Sequence, residues 1–144
     1  KYVIRTLIIL YSFGLIYHFT TTNKSSTLVG KWQVDHFIRN NDTLNANAWL
    51  TDSSVWKNIY IEEYKKITLS ANPYMIDKNK SLRGKYIYDS SYHTLILILN
   101  RSMYKKDTLH IKVNFINDRQ MKWALLSQND SLLLQLSKIE DNRK

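Results

Sequence analysis

Cysteine is absent from the 144 residues of this chain, and glycine and proline are scarce, with three and one occurrences. The absence of cysteine excludes a disulfide framework, a thiolate nucleophile, an iron–sulfur centre and a zinc–thiolate site. The scarcity of glycine and proline excludes collagen-like chains and Gly/Pro-rich disorder. The chain has the length of a single domain. With 44% hydrophobic residues and ten tyrosines, it has enough apolar side chains to bury a core.

Recognisable catalytic, nucleotide-binding and metal-binding motifs are also missing from the sequence. There is no GxSxG nucleophile motif and no glycine-rich phosphate loop, and the three glycines are far apart. The four histidines do not have the spacing of metal ligands; they are His18, His36, His93 and His110. We therefore expect neither an enzyme nor a bound metal or other cofactor.

An apolar run at residues 2–19 is interrupted only by Arg5. As a helix this run would be about 27 Å long, close to the ~30 Å hydrocarbon thickness of a bilayer. Three interpretations are open: a membrane anchor or the last spanning helix of a larger protein, a signal peptide with Lys1 and Arg5 as its positive region, and a buried soluble helix. We favour the anchor, with residues 1–20 as the membrane helix and residues 21–27 as a polar linker.

Positive charge is concentrated at the start of the apolar run, because Lys1 and Arg5 precede its uncharged part at residues 6–19 and only Lys24 follows closely. The positive-inside rule then predicts a cytoplasmic N-terminus, with the rest of the chain in the periplasm or at the exterior of a bacterial cell. The whole chain carries a formal charge of +9, from 21 Lys and Arg against 12 Asp and Glu. Such a charge suits anionic lipid headgroups or an acidic partner. The expected partners are therefore membrane lipid and other membrane-protein subunits, and not nucleic acid.

From residue 28 onward the sequence predicts strands separated by short turns. In residues 107–116 apolar and polar side chains alternate, which is typical of a half-buried strand. A helical turn is predicted around residues 46–50. Further strands are predicted at 28–39, 56–61, 65–69, 73–77, 82–88, 92–99, 119–126 and 130–137. Because strands do not alternate with helices, we expect an all-β domain over residues 28–144.

An antiparallel meander of about eight strands hides its edges by closing on itself. The predicted fold is therefore an antiparallel up-and-down barrel of about eight strands, preceded by one N-terminal transmembrane helix. A two-sheet sandwich is the alternative. An eight-stranded barrel either fills its interior with side chains or holds one small ligand.

The segment Gly30-Lys31-Trp32 opens the first predicted strand of this meander. A Gly-x-Trp at this place resembles the lipocalin (calycin) superfamily, and in particular the short lipocalin-like domains of bacterial envelope proteins. The resemblance implies that Trp32 packs across one closed end of the barrel, beneath a basic side chain from near the C-terminus, with Lys138 and Arg143 as candidates. It also implies a barrel that binds an apolar small molecule, without catalysis in most members.

Two functions follow from this reading of the sequence. The first is a non-catalytic accessory domain of a membrane protein assembly, which a filled barrel would favour. The alternative is binding or carriage of a small apolar ligand or lipid, which a hollow barrel would favour. The candidate ligand-lining residues, which would serve equally as packed core, are Trp32, Trp56, Tyr86, Leu97, Phe115 and Trp123.

Overall fold

The computed structural model describes residues 27–77, 80–102, 105–126 and 130–140. The expected membrane helix at residues 1–20 and the candidate cover Arg143 lie outside the described residues, as does all of the expected linker except Thr27. Among the described residues, no helix has the length and apolar character needed to cross a membrane.

The described part of the chain forms nine strands and one short 3-10 helix at Ala48–Leu50. The strands, in chain order, are β1 Gly30–Arg39, β2 Asp42–Thr43, β3 Asn58–Ile61, β4 Lys66–Ser70, β5 Leu82–Asp89, β6 Thr94–Ser102, β7 Lys105–Asn117, β8 Gln120–Leu126 and β9 Ser131–Ile139. The 3-10 helix confirms the helical turn predicted around residues 46–50.

The strands close into an eight-stranded antiparallel barrel. Strands β3 to β8 each pair with the next one along the chain, and β1 pairs with both β3 and β9. Trp32, for example, lies opposite Ile59 on one side and Lys138 on the other. The two-residue strand β2 pairs only with the end of β1 and is not part of the closed ring. The predicted all-β antiparallel barrel is therefore confirmed, and the two-sheet sandwich is excluded.

Alternation of apolar and polar residues decides which side chains fill the barrel. On β7, Ile111 and Val113 are buried, and on β8, Met121, Trp123 and Leu125 are buried, while the residues between them are exposed. Because successive side chains of a strand point to opposite faces, each strand directs one apolar row inward. These rows meet in one contiguous cluster of buried side chains.

Strand β1 departs from strict alternation at a β-bulge. Trp32 and Val34 are buried, but the register against β9 shifts between Val34 and His36, and Phe37 is then the next buried residue. Strict alternation along residues 28–39 predicts that His36 shares a face with Trp32; this prediction is wrong, because His36 is exposed. A bulge inserts one extra residue into a strand and so exchanges the two faces beyond it.

The strand predicted at residues 73–77 was also wrong, because this segment forms bends. Side-chain hydrogen bonds take up some of its backbone groups: the Asn72 carboxamide oxygen accepts from the backbone N–H of Tyr74 at 2.9 Å, and Asn58 Nδ2, from β3, donates to the Pro73 carbonyl at 2.8 Å. Such bonds compete with strand pairing.

The two ends of the barrel differ in what they carry. We call the end at which β1 begins the base; the β3–β4, β5–β6 and β7–β8 turns lie there. The opposite end, where β1 finishes, is called the top. Strand β3 pairs only with the first four residues of β1, so the upper half of β1 needs another neighbour on that side.

Candidate functional site

The barrel interior brings together all six side chains that the sequence singled out. Trp32 and Leu97 are 0% exposed, Trp123 is 1% exposed, and Trp56 and Tyr86 are each 6% exposed. Phe115 is partly buried and packs against the same cluster. The six residues therefore occupy the interior as members of one packed core.

The base is closed by Trp32 and the C-terminal strand. The Trp32 indole is fully buried, and its Nε1–H donates to the carbonyl of Leu28 at 2.8 Å. Lys138 Nζ lies 5.3 Å from the ring centroid of Trp32 and donates to the carbonyl of Thr27 at 3.1 Å. A cation over an indole face is attracted by the electron density of the ring. Lys138, one of the two covers implied by the lipocalin resemblance, therefore takes that position.

Gly30 makes room for the lysine that covers Trp32. A Cβ on Gly30 would lie 2.5 Å from Lys138 Cε, and the φ of Gly30 is +142°, a conformation that residues with a side chain rarely adopt. Two features therefore favour glycine at position 30: a side chain there would collide with Lys138, and the backbone conformation is one that glycine adopts readily.

Tyr86 places its polar tip at the base as well. Its hydroxyl donates to the carbonyl of Glu62 at 3.0 Å, and its backbone N–H donates to the carbonyl of Lys65 at 2.9 Å. Burial raises the pKa of the Tyr86 hydroxyl above its usual value, and the negative charge of Glu63 adds to this. Tyr86 therefore fastens the β3–β4 turn to the barrel.

Residues 44–57, which connect β2 to β3, complete the wall beside the upper half of β1. The N–H of Leu44 donates to the carbonyl of Phe37 at 2.9 Å, and the N–H of Val34 donates to the carbonyl of Lys57 at 2.8 Å. Between these two bonds the segment sends Val55 and Trp56 into the core, where the rings of Trp56 and Phe37 meet edge to face at 6.2 Å. This side of the barrel is therefore sealed by a loop instead of a strand.

A polar latch holds this connecting segment to the end of β1. The Arg39 guanidinium donates to the Asp52 carboxylate at 3.0 Å and to the Ser54 hydroxyl at 2.8 Å. Asp52 also accepts from the backbone N–H of Ser54 at 2.8 Å. Hydrogen bonds from Ser54, followed by the charge of Arg39, lower the pKa of the Asp52 carboxyl. Sequence reasoning missed this latch, although the Asp-Ser-Ser order at residues 52–54 is a recognisable turn signal.

Trp56 places an indole N–H in the apolar core without a hydrogen-bond partner among the described residues. Among the described residues no acceptor lies within hydrogen-bond distance of Trp56 Nε1, which is itself buried. Trp32, in contrast, has its indole N–H satisfied by Leu28. A buried indole N–H usually has a hydrogen-bond partner, so the unpaired N–H of Trp56 is unusual.

Surface grooves lie outside the barrel wall and not within it. One groove of about 640 Å³ lies near the base, where Lys31, Arg119 and Lys138 contribute cations. A second, of about 630 Å³, lies along β1 between Trp49 and Tyr74. A third, of about 490 Å³, lies at the β7–β8 turn. None of the six predicted lining residues contributes to any of these three grooves.

The histidines that the structure describes are exposed and lie on three different elements. They lie on β1, in the β5–β6 turn and on β7, at His36, His93 and His110; His18 lies outside the described residues. Within the described part of the chain, no three His, Asp or Glu side chains are placed to hold a metal ion.

Comparison of the chain with known protein families, with curated proteins and with solved structures finds no match in any of the three.

Proposed function

We propose that this chain is a non-catalytic, lipocalin-like domain that serves as an accessory, interaction subunit of a membrane protein assembly. In this proposal residues 1–20 tether it to a bacterial membrane, and the barrel faces the periplasm or the cell exterior. The observation that supports an accessory role is the filled interior: Trp32, Leu97 and Trp123 are at most 1% exposed and belong to one packed cluster. A carrier needs an open pocket of about 300–1,000 Å³ for its ligand.

The lipocalin assignment is supported by the closure of the base. Gly30, Trp32 and Lys138 have the relation that the family resemblance implies, with the lysine over the indole and its stem against the glycine. The closed antiparallel meander of eight strands is the architecture expected of such a domain.

A second function, carriage of a small apolar ligand, is favoured by one observation. Trp56 Nε1 is buried without an acceptor among the described residues, and a buried unsatisfied donor costs about 1–3 kcal/mol. An apolar ligand bearing one oxygen beside Trp56 would remove this cost. The packed interior disfavours a ligand of any size, so we place this function second.

The proposed tether and orientation are tested on the full chain in bacterial membranes. Extraction at alkaline pH is expected to leave the chain in the membrane pellet. Protease added to spheroplasts is expected to digest the barrel before lysis, because the barrel faces outward. Release into the soluble fraction would contradict the tether, and protection until lysis would contradict the orientation.

Native mass spectrometry of the purified full chain distinguishes the two functions. The accessory role predicts the mass of the chain without a stoichiometric small-molecule adduct in the interior. Carriage predicts one apolar molecule per chain, lost when Trp56 is changed to Phe but retained when the exposed residue Ile87 is changed to Ser. Lipid held by the N-terminal segment would be unaffected by either substitution.

A further inference from the structure

An exposed apolar patch lies on two neighbouring loops outside the barrel, and we call it the loop patch. Its exposed members are Leu50, Tyr74, Met75 and Ile76, with exposed fractions of 65%, 89%, 61% and 39%. Nine large hydrophobic side chains are exposed among the described residues, and these four are confined to two loops. Trp49 joins the loops, because its ring meets that of Tyr74 at 6.5 Å. Exposed apolar side chains grouped in this way mark a site where another molecule binds.

The loop patch is held in an ordered conformation by its own hydrogen bonds. The Asn72 carboxamide oxygen accepts from the N–H of Tyr74 at 2.9 Å and of Met75 at 3.4 Å. The Ser70 hydroxyl, at the end of β4, donates to the carbonyl of Asn72 at 3.1 Å. The apolar side chains are therefore presented to the surroundings by a braced loop, which reduces the entropy lost when they bind.

Cationic side chains lie beside the loop patch. The groove of about 630 Å³ that Trp49 and Tyr74 border is also lined by Lys31 and Lys57. One carboxylate, that of Asp35, lines the same groove and accepts a hydrogen bond from the Ser137 hydroxyl. The two lysines outnumber the carboxylate in this groove. Two further carboxylates lie on the same loops: Asp52, which is paired with Arg39, and Asp77, which follows Ile76. A partner that covers this region is therefore expected to be anionic.

The lysines beside the loop patch favour a bilayer surface over a protein, because Lys is depleted at protein–protein interfaces whereas Trp, Tyr and Met occur at both. Trp and Tyr concentrate at the level of lipid headgroups, where an amphipathic ring meets both water and hydrocarbon. Apolar side chains beside lysines bind anionic membranes through buried area and charge together. Trp49, Tyr74, Met75 and Leu50 supply the apolar part, and the lysines of the groove supply the charge.

We propose that the loop patch inserts into the headgroup region of an anionic bilayer and so makes a second membrane contact beside the N-terminal segment. This inference rests on the proposed function in placing the barrel next to a membrane. It adds an orientation: the outer face of β1, with Lys31 and the loops at Trp49 and Tyr74, lies against the lipid, and the rest of the barrel points away.

The fluorescence of Trp49 tests this contact directly. The chain has four tryptophans, and Trp32, Trp56 and Trp123 are at most 6% exposed. Trp49 packs against the core with part of its ring but is partly exposed, so it is the tryptophan that can contact lipid. The full chain is reconstituted into phosphatidylglycerol vesicles whose acyl chains carry bromine, which quenches a nearby indole. The spectrum of a Trp49→Phe variant is subtracted to isolate the signal of Trp49.

The expected result is that brominated lipid quenches Trp49 and that aqueous iodide no longer reaches it. The double variant Leu50→Ser, Met75→Ser is expected to lose this quenching. The matched control Ile87→Ser, which removes an apolar side chain that is 52% exposed on β5, keeps it. Phosphatidylcholine vesicles, and the Lys31→Gln, Lys57→Gln variant on anionic vesicles, are expected to give weaker quenching, because the charge attraction is lost.

Quenching of Trp49 by iodide but not by brominated lipid would overturn the proposal. Protection of Trp49 only after other membrane proteins are added, without bromine quenching, would also overturn it, in favour of a protein partner. Equal quenching on anionic and neutral vesicles would refute the role of the lysines. Alkaline extraction tests only the N-terminal tether, so failure of the tether can be distinguished from failure of the loop-patch contact. A chain without a tether is still expected to show bromine quenching on anionic vesicles.

Discussion

Replacing Lys138 with Met is expected to destabilise the barrel by removing the cover of Trp32. Met keeps an unbranched apolar stem of similar length, so the packing against Gly30 is largely retained. The cation over the Trp32 ring, at 5.3 Å, contributes about 0.5–1 kcal/mol at a partly exposed site. The hydrogen bond to the carbonyl of Thr27, at 3.1 Å, contributes about 1 kcal/mol. The free energy of unfolding should therefore fall by about 1.5–2 kcal/mol.

Urea unfolding of the full chain in mild detergent, followed by tryptophan fluorescence, measures this loss. The midpoint should fall while the slope with urea stays constant, because the surface exposed on unfolding is unchanged. In a thermal scan the same loss corresponds to a decrease in Tm of roughly 5–10 °C. The control is Lys122→Met, which removes an exposed lysine from β8 and should change stability by less than about 0.5 kcal/mol.

A double-mutant cycle separates the contact with Trp32 from other effects of the substitution. If Trp32→Leu is already present, Lys138→Met should cost less by about 0.5–1 kcal/mol, since the cation then has no indole to lie over. Equal costs in both backgrounds, or a Lys138→Met variant as stable as the control, would refute the view that this pair closes the base.

Three further predictions concern positions elsewhere in the barrel. Gly84→Ala should lower the free energy of unfolding in urea by about 1–3 kcal/mol, because its Cβ would lie 2.1 Å from the backbone oxygen of Ile98. The pKa of Tyr86 is raised above its usual value of 10.0, so the Tyr86 hydroxyl should contribute fully to the free energy of unfolding below pH 10.0 and lose that contribution as the pH rises through the raised pKa. Tyr86→Phe should remove this loss of stability at alkaline pH in urea titrations. The pKa of Asp52 is lowered below its usual value of 3.8, so the Asp52 carboxylate should stabilise the fold above pH 3.8 and lose that contribution as the pH falls through the lowered pKa. Asp52→Asn should therefore reduce the decrease in the free energy of unfolding at acid pH.

Much of the barrel could be predicted from the sequence because strand pairing imposes a period of two. Residues 107–116, 119–126 and 130–137 show this period clearly, and each lies in a strand with the expected face inward. The turn at Asn40 and Asn41 also follows from local chemistry, since both residues have positive φ, at 52° and 69°, which asparagine tolerates.

The parts that sequence could not supply depend on contacts between distant residues. The bulge at His36 is a matter of register between β1 and β9, which no local pattern encodes. The latch joins Arg39 to Asp52 and Ser54 across 13 and 15 residues, and nothing in the period of either segment pairs them.

The candidate site was only partly predictable for a related reason. Alternation indicates that Trp123 points inward, and the structure places it there. Residues 95–99 are apolar on both faces, so alternation could not decide that Leu97 points inward, as it does in the structure. Whether an interior is filled or hollow depends on the sum of side-chain volumes and on the connecting segment at residues 44–57, which adds Val55 and Trp56 to the core. A sequence pattern gives directions of side chains and not the volume they leave.

The stability of Leu97→Trp tests the filled interior most directly. Leu97 is 0% exposed on the inner face of β6, so a larger ring has no free volume to enter, and overpacking should lower the free energy of unfolding by about 1–3 kcal/mol or more. The matched control Ile96→Trp places the same ring on the outer face of β6 and should be nearly neutral. A Leu97→Trp variant as stable as the wild type would show a hollow barrel and contradict the account.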